Sequence, residues 1–301
     1  MNVSNNIPAN IAVEENNEST ALKNQPFSTL VRKWLVKHLP AKVQLGVPSL
    51  DHHLENWEPG ASYVVAGKLA TGAGSMALTL AENFATSGGH LIWIGITDDL
   101  HRMYEQLMFK NAGLVLAAAG STVPIDAVAQ FKLKYAHEQL GKMWIDFCNV
   151  EECGNADVEQ EFLASVASFK PTLIVVDESI FDETTLDPFE ILVRQTHALH
   201  MVKELRRTNP MSSVLWHLPM RVAVDDGVSN QRPTLDDLTS AASSIKPDVV
   251  MLVHACDELK SQHNAEVIVA ANAFGSTGIV PMAFDPIHCT WHDLANSARP
   301  D

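Results

Sequence analysis

Residues 62 to 86 read SYVVAGKLATGAGSMALTLAENFAT, and this stretch decides the fold. An apolar run from Ser62 leads into a Gly-rich loop between Gly67 and Gly74, and an apolar pattern with helical spacing follows from Ser75. The first run predicts a buried strand, and the second predicts a helix packed on it. A strand that passes through a Gly-rich loop into a helix is typical of α/β domains with a parallel sheet.

The same alternation of strand-like and helical runs continues along the chain. The strand-like runs are HLIWIGI (90–96), MWIDFCNV (143–150), TLIVVDE (172–178) and SVLWHL (213–218), and the helical runs between them include 99–109, 158–169 and about 188–207. Near the end, DVVMLVHA (248–255), AEVIVAANA (265–273) and IVPMAFD (279–285) form three further strand-like runs joined by acidic or Gly-containing turns. We therefore predict a mainly parallel twisted sheet flanked by helices, with an antiparallel extension at the C-terminal end.

The first 42 residues differ in composition from the rest. Residues 1–25 carry few large apolar groups, which predicts a disordered tail. Residues 26–42 have the period of an amphipathic helix, with Trp34 on its apolar face and Arg32 on the opposite face. That apolar face would pack either on its own domain or on a neighbouring subunit, and the period favours neither. Residues 43–296 then form one globular core domain.

Charge and hydropathy limit the classes of partner that we expect this chain to bind. The formal net charge of −15 repels nucleic-acid phosphates, so we do not expect tight DNA binding by this chain alone. No apolar run reaches the roughly 20 residues that a membrane helix needs, and the N-terminus lacks the pattern of a secretory signal. We expect no membrane association and a cytoplasmic location.

The cysteines and histidines suggest no metal site. Four cysteines are scattered without the spacing of a zinc site or a disulfide framework. The thirteen histidines include His52 and His53 and pairs such as His197 and His200, but none forms a ligand trio with a carboxylate at metal spacing. We therefore predict no bound metal.

The loop has the spacing of a phosphate-binding loop but lacks its reactive side chains. Gly67 and Gly72 give Gly-x-x-x-x-Gly, after which a working loop carries a Lys for the β and γ phosphates and a Ser or Thr for magnesium. Here these two positions are Ala73 and Gly74, so a positive charge and a metal-binding oxygen are both missing. The local substitutes are Lys68, within the loop, and two hydroxyl residues, Thr71 and Ser75.

The run at 173–178, LIVVDE, has the form of a Walker B element, an apolar strand whose terminal Asp orients a magnesium-bound water. Asp177 and Glu178 are the two carboxylates. The alternative interpretation is a buried central strand whose terminal acids face solvent, and the missing hydroxyl at Gly74 adds weight to it. Either interpretation places Asp177 near the mouth of the loop.

Taken in order, these segments resemble the DnaB-type replicative helicases, hexameric RecA-like motors, over about residues 43–294. The matching segments are LGVPSLDHHLENWEPGASYVVAG (45–67), MALTLAENFA (76–85), LIVVDE (173–178), SVLWHL (213–218), RPTLDDL (232–238) and AEVIVAANAFGSTGIVPMAFDP (265–286). The resemblance implies a RecA-like core. It also implies that residues 26–42 stand where the family has its subunit-docking linker helix, and that the family's N-terminal collar domain has no counterpart.

The departures from the family pattern fall on chemistry. The resemblance places Thr97, with Asp98 beside it, at the position of the catalytic Glu, and His217 at the position of a polar sensor Gln. It places Ala271 and Ala273 where the family has the Lys and Arg that reach a neighbour's γ-phosphate. Because an arginine finger can be worth roughly 10³-fold or more in rate, we expect no hydrolysis and name no catalytic residue.

The sequence therefore predicts a pseudo-ATPase that serves as a scaffold in DNA replication, transfer or processing. We expect it to associate with itself or with a helicase or other DNA-processing protein, and to use no cofactor. Two alternatives stay open. One is a divergent active ATPase or helicase that uses ATP and magnesium, with Lys68, Ser75 or Thr71, and Asp98 or Glu178 in new roles. The other is a nucleotide sensor without turnover, which would bind through the loop backbone and the helix N-terminus.

Overall fold

The structure is a computed structural model that describes residues 44–54, 57–68, 70–96, 100–115, 126–150, 156–178, 187–220, 231–238, 245–256, 259 and 263–294. The predicted tail, residues 1–25, and the predicted amphipathic helix, residues 26–42, lie outside the described residues.

One mixed sheet organises the described part of the chain. Its strands are β1 (Ser62–Gly67), β2 (His90–Gly95), β3 (Trp144–Asn149), β4 (Leu173–Asp177), β5 (Ser213–Pro219), β6 (Val249–His254), β7 (Asn264–Asn272), β8 (Gly278–Asp285) and β9 (Thr290–Asp293). Their order in the sheet is β3-β2-β4-β5-β1-β6-β7-β8-β9. The pairs from β3 through to β6 are parallel and those from β6 to β9 are antiparallel, which confirms the predicted mainly parallel sheet with an antiparallel extension.

The extension begins one strand later than the sequence pattern indicated. We predicted that the run at 248–255 belongs to the antiparallel part, but β6 pairs in parallel with β1. Its apolar run is continuous and every residue of it is buried, as in a strand covered on both faces. The following strand, β7, alternates buried and half-buried residues along most of its length, which is the pattern of a strand covered on one face.

Helices connect the parallel strands. They are α1 (Pro48–Leu54), α2 (Ala73–Thr86), α3 (Leu100–Ala112), α4 (Ala127–Leu140), α5 (Ala156–Phe169) and α6 (Pro188–Thr208), with a 3₁₀ turn at Leu235–Asp237. Among the helices described, none has both the length and the apolar character needed to cross a membrane.

Two hydrophobic clusters cover the two faces of the sheet. The first gathers α1, α2 and α3 on one face, where Met76, Leu80 and Leu107 are buried. The second gathers α5 and α6 on the other, where Val166, Met201 and Leu205 are buried. The loop between β1 and α2 is thereby held between a central strand and a helix that is packed along much of its length.

Candidate functional site

The glycine-rich loop, Asp177, Glu178 and His217 meet at the carboxyl edge of the parallel strands. In the register of the sheet, Gly67 at the end of β1 lies beside Pro219 of β5, and Asp177 at the end of β4 lies beside His217. Ligands of open α/β sheets bind at this edge, outside the carboxyl ends of the strands. The loop and the two carboxylates after β4 therefore belong to one site.

The two glycines of the loop have structural roles in its described residues. Gly72 is the residue before α2 and has a φ of 88°, in the left-handed region that favours glycine. A Cβ at Gly67 would lie 2.6 Å from the Thr71 Oγ1 and 2.8 Å from the Ala73 Cβ. Both glycines of the Gly-x-x-x-x-Gly spacing are thus required by the packing of the loop.

An aromatic stack supports this loop from the antiparallel end of the sheet. Phe284 and Trp291 stack with ring centroids 4.5 Å apart, and a Cβ at Gly72 would lie 2.8 Å from both rings. These two residues were not predicted from the sequence, because they come from β8 and β9, about 200 residues further along the chain. The stack fixes the place where α2 begins.

The hydroxyl groups near the loop are engaged within the protein. The Thr71 Oγ1 donates to the Lys68 carbonyl oxygen at 2.7 Å. The Ser75 Oγ accepts a hydrogen bond from the Gln106 Nε2 at 3.2 Å, and Ser75 is buried. Ala73, at the position of the phosphate-binding lysine, is also buried. Lys68 is half-buried at the start of the loop.

His217 fills the space between the loop and the Walker B strand. Its Nδ1 lies 2.7 Å from the Asp177 Oδ1, and the two side chains are 8% and 13% exposed. A Cβ at Gly74 would lie 3.2 Å from the His217 Cε1, so the imidazole ring is packed directly against this glycine. The Walker B carboxylate therefore bonds to a histidine that stands against the position where the family has its magnesium-binding hydroxyl.

Glu178 is a buried carboxyl at the same edge. Its Oε2 accepts a hydrogen bond from the Gln195 Nε2 at 2.8 Å, and its backbone N–H donates to the His217 carbonyl oxygen. The pKa of Glu178 is raised to about 7, chiefly by burial and also by the Asp177 charge, while the Gln195 hydrogen bond and the His217 charge lower it. This carboxyl changes its charge near neutral pH, as a general base does.

A buried arginine lies behind the end of β2. Arg194 is 6% exposed, its guanidinium donates to the Ile96 carbonyl oxygen at 3.3 Å, and it pairs with Glu190 at 2.8 Å. Arg194 was not predicted as a site residue from the sequence, because it lies within α6 and belongs to none of the loop motifs. Thr97 and Asp98, which follow Ile96, lie outside the described residues.

Ala271 and Ala273 lie at the opposite end of the sheet from the loop. Ala271 of β7 pairs with Val250 near the start of β6, whereas Gly67 is level with Val253. Ala271 packs on the second hydrophobic cluster, and Ala273 is exposed, with its backbone N–H donating to the Asp248 carbonyl oxygen. Within one chain these positions do not face the loop.

Comparison with solved structures shows the fold. The chain superimposes on the ATPase domain of G40P with a TM-score of 0.63 at 14% sequence identity, covering 89% of this chain and 97% of that one. It superimposes equally on a DnaB-like replicative helicase, in a structure that also concerns its interactions with primase, again at 14% identity and a TM-score of 0.63. There the chain covers 66% of the helicase, about two thirds of its length.

No protein-family model matches the sequence, and no curated protein sequence matches it. The superpositions on the two solved structures confirm, in three dimensions, the resemblance noted in the sequence. The chain has the RecA-like α/β fold of the ATPase domains of DnaB-like replicative helicases.

Proposed function

We propose that this chain is a catalytically degenerate DnaB-helicase-like protein. It acts in the cytoplasm as a non-hydrolysing scaffold or partner in DNA replication, transfer or processing machinery, either by self-association or by binding a helicase or another DNA-processing protein. It needs no ATP or magnesium for this role.

The observation that carries the proposal is the position of the His217 ring. The ring packs against Gly74 and bonds to Asp177, so the space for a hydroxyl and a magnesium ion holds an imidazole instead. Magnesium prefers an octahedron of oxygen ligands, and an imidazole held by a carboxylate does not supply it. With Ala73 at the lysine position, both electrostatic contributions to phosphoryl transfer are absent from the loop.

The partner class is inferred from the fold. A solved structure that shares it concerns the interactions of a DnaB-like replicative helicase with primase. The net charge of −15 favours protein partners over direct DNA binding.

A divergent ATPase is the second candidate, and Glu178 is the observation that favours it. A carboxyl with a pKa of about 7 at the carboxyl edge of the sheet is suited to accept a proton from water. Against it, the Glu178 side chain is buried and bonded to Gln195, and the hydroxyls of Thr71 and Ser75 are engaged as described.

The first experiment is a calorimetric titration of the full chain with ATP and magnesium, paired with a phosphate-release assay on the same sample. We expect neither Mg²⁺-dependent binding nor release. Binding without release would replace the scaffold by a nucleotide sensor that uses the loop backbone. Release that is lost in Lys68→Ala would overturn the proposal in favour of the divergent ATPase.

A rebuilt site provides the positive control. Ala73→Lys with Gly74→Thr restores the two missing groups, and His217→Gln removes the ring that a side chain at position 74 would meet. We expect this triple variant to bind ATP with magnesium dependence, and its Asp177→Asn derivative to lose most of that binding. If Ala73→Lys and Gly74→Thr bind ATP equally well with His217 in place, the histidine does not block the site.

A further inference from the structure

We propose that Glu159, His197 and His200 form a binding site for a divalent transition-metal ion such as Zn²⁺, on the face of the sheet that carries α5 and α6. The sequence predicted no metal site because the histidine pairs form no ligand trio with a carboxylate at metal-ligand spacing. The fold supplies the carboxylate from another helix.

The three side chains come together because α5 and α6 pack side by side on the second hydrophobic cluster. His197 and His200 are three residues apart on α6, so they lie on one face of the helix. Glu159 of α5 faces both, with its Oε2 3.2 Å from the His197 Nε2 and its Oε1 3.6 Å from the His200 Nε2.

Each histidine–carboxylate separation, taken singly, is close to the separation of two ligands on one ion. Zinc binds imidazole nitrogen and carboxylate oxygen at about 2.0–2.2 Å, and two such atoms at a tetrahedral angle are about 3.4 Å apart. Two imidazoles and a carboxylate are a ligand set that zinc and its neighbours in the first transition series accept. Three protein ligands leave a position for water.

One oxygen of the Glu159 carboxylate also lacks a hydrogen-bond partner. The Glu159 side chain is 16% exposed, and its Oε1 is buried without a hydrogen bond. A buried carboxylate oxygen without a hydrogen bond is unfavourable, because it has lost its hydration and has only the His200 imidazole at 3.6 Å in its place. Coordination to a cation would satisfy it.

The site needs a small rearrangement to close. Each imidazole now faces a different oxygen of Glu159, and within the described part of the chain no three such ligands surround a single point. His200 is 57% exposed and borders a cavity of about 450 Å³, so its ring has room to turn towards His197. Arg207 also borders this cavity, but its charge is paired with Glu204 at 2.8 Å.

The test is a titration of the full chain, first freed of metal by a chelator, with zinc chloride. We expect about one Zn²⁺ per chain with a Kd of about 1 µM or below. Glu159→Gln, His197→Asn and His200→Asn should each weaken this binding at least about 100-fold, because loss of a direct ligand exceeds the effect of losing a supporting group.

The matched control is His288→Asn. His288 also contacts a carboxylate, with its Nδ1 2.6 Å from the Asp285 Oδ2, and it should leave zinc binding unchanged. Glu159→Gln keeps the shape of the side chain, and near-ultraviolet circular dichroism of each variant verifies its fold. Zinc binding that survives Glu159→Gln and His197→Asn, or a Kd above about 100 µM for the unaltered chain, would overturn the proposal.

Discussion

The contact between Asp177 and His217 is a consequence of strand order. β4 and β5 are neighbours in parallel register, so residues that are 40 positions apart in the chain stand side by side at the carboxyl edge. The loop glycine at position 74 leaves room for the ring of His217. Each of the two residues alone fits an ordinary buried strand, and together they place a bonded imidazole and carboxylate beside Gly74.

Glu178→Gln should change how stability depends on pH. The folded pKa of Glu178 is raised from 4.5 to about 7, so the folded state holds a proton that the unfolded state has lost between these pH values. Its contribution to stability is present below pH 4.5 and is lost as the pH rises through 7. Between pH 5 and pH 8, the free energy of unfolding measured in urea should therefore fall by about 2 kcal/mol more in the unaltered chain than in the variant. Without relaxation of the protein around the charged group, the difference would be roughly 3 kcal/mol.

The control for this change is Glu161→Gln on the exposed face of α5, which removes a carboxylate that water already solvates. Its pH profile should match that of the unaltered chain. Identical profiles for Glu178→Gln and the unaltered chain would mean that Glu178 keeps its charge in the folded protein.

Substitutions at Gly72 and Gly88 distinguish the stability cost of backbone strain from the cost of disrupted packing. Both have left-handed φ angles, 88° and 90°, but a Cβ at Gly72 would meet Phe284 and Trp291 at 2.8 Å, whereas a Cβ at Gly88 meets nothing within 4 Å. We expect Gly88→Ala to lower the free energy of unfolding by about 1 kcal/mol through strain. Gly72→Ala should cost about 3 kcal/mol, because displacement of the aromatic stack is added. Equal losses in chemical denaturation would show that the stack does not hold the loop.

At the scale of elements, a row of polar contacts joins α2 to α3. The Lys110 Nζ lies 2.6 Å from the Glu82 Oε2 and donates to the Thr79 Oγ1, and Gln106 reaches Ser75 one turn closer to the loop. The Lys110 and Glu82 side chains are 10% and 12% exposed. The packing of α3 is thus tied to the helix that begins at the candidate site.

Lys110→Met should lower the free energy of unfolding by about 3 kcal/mol, since it leaves the Glu82 charge buried with too few partners. Adding Glu82→Leu should restore most of the loss, because an apolar pair replaces the ion pair. Arg207→Met is the comparison, since the Arg207 side chain is 71% exposed and water screens its pair with Glu204, so the change should alter the free energy of unfolding little. Equal costs for the two single changes in urea unfolding would contradict this account.

Elements were predictable where burial on both faces makes a strand continuously apolar, as in β1, β2 and β6. The helix α4 was not predicted, because only Ala136 and Leu140 of it are buried and its apolar period is weak. Contacts between distant elements were also beyond sequence patterns. The stack on Gly72 and the meeting of Glu159 with His197 depend on which strands and helices are neighbours, and local periodicity does not contain that information.

At the scale of the whole molecule, the two altered regions lie at opposite ends of the sheet. The loop occupies the carboxyl edge, and Ala271 and Ala273 lie about 10 Å away along the strands, towards the amino ends of the parallel strands. In the family that this chain resembles, the second region of one subunit reaches the nucleotide of its neighbour. Under the proposed function, a chain with Ala73 and Gly74 at one end and Ala271 and Ala273 at the other would lack both halves of such a nucleotide-bridged contact.

Assembly should therefore be independent of nucleotide. Because a ligand stabilises an assembly only through the states that it binds, a site that holds no nucleotide contributes nothing to a ring. We expect light scattering to give the mass of a monomer or dimer of the 32.9 kDa chain, unchanged by ATP and magnesium. The comparison is the variant with Ala73→Lys, Gly74→Thr, His217→Gln, Ala271→Lys and Ala273→Arg, which restores both halves and should gain mass when ATP is added. A stable six-membered ring of the unaltered chain without nucleotide would contradict this prediction, because it would show that the subunits assemble without a nucleotide bridge.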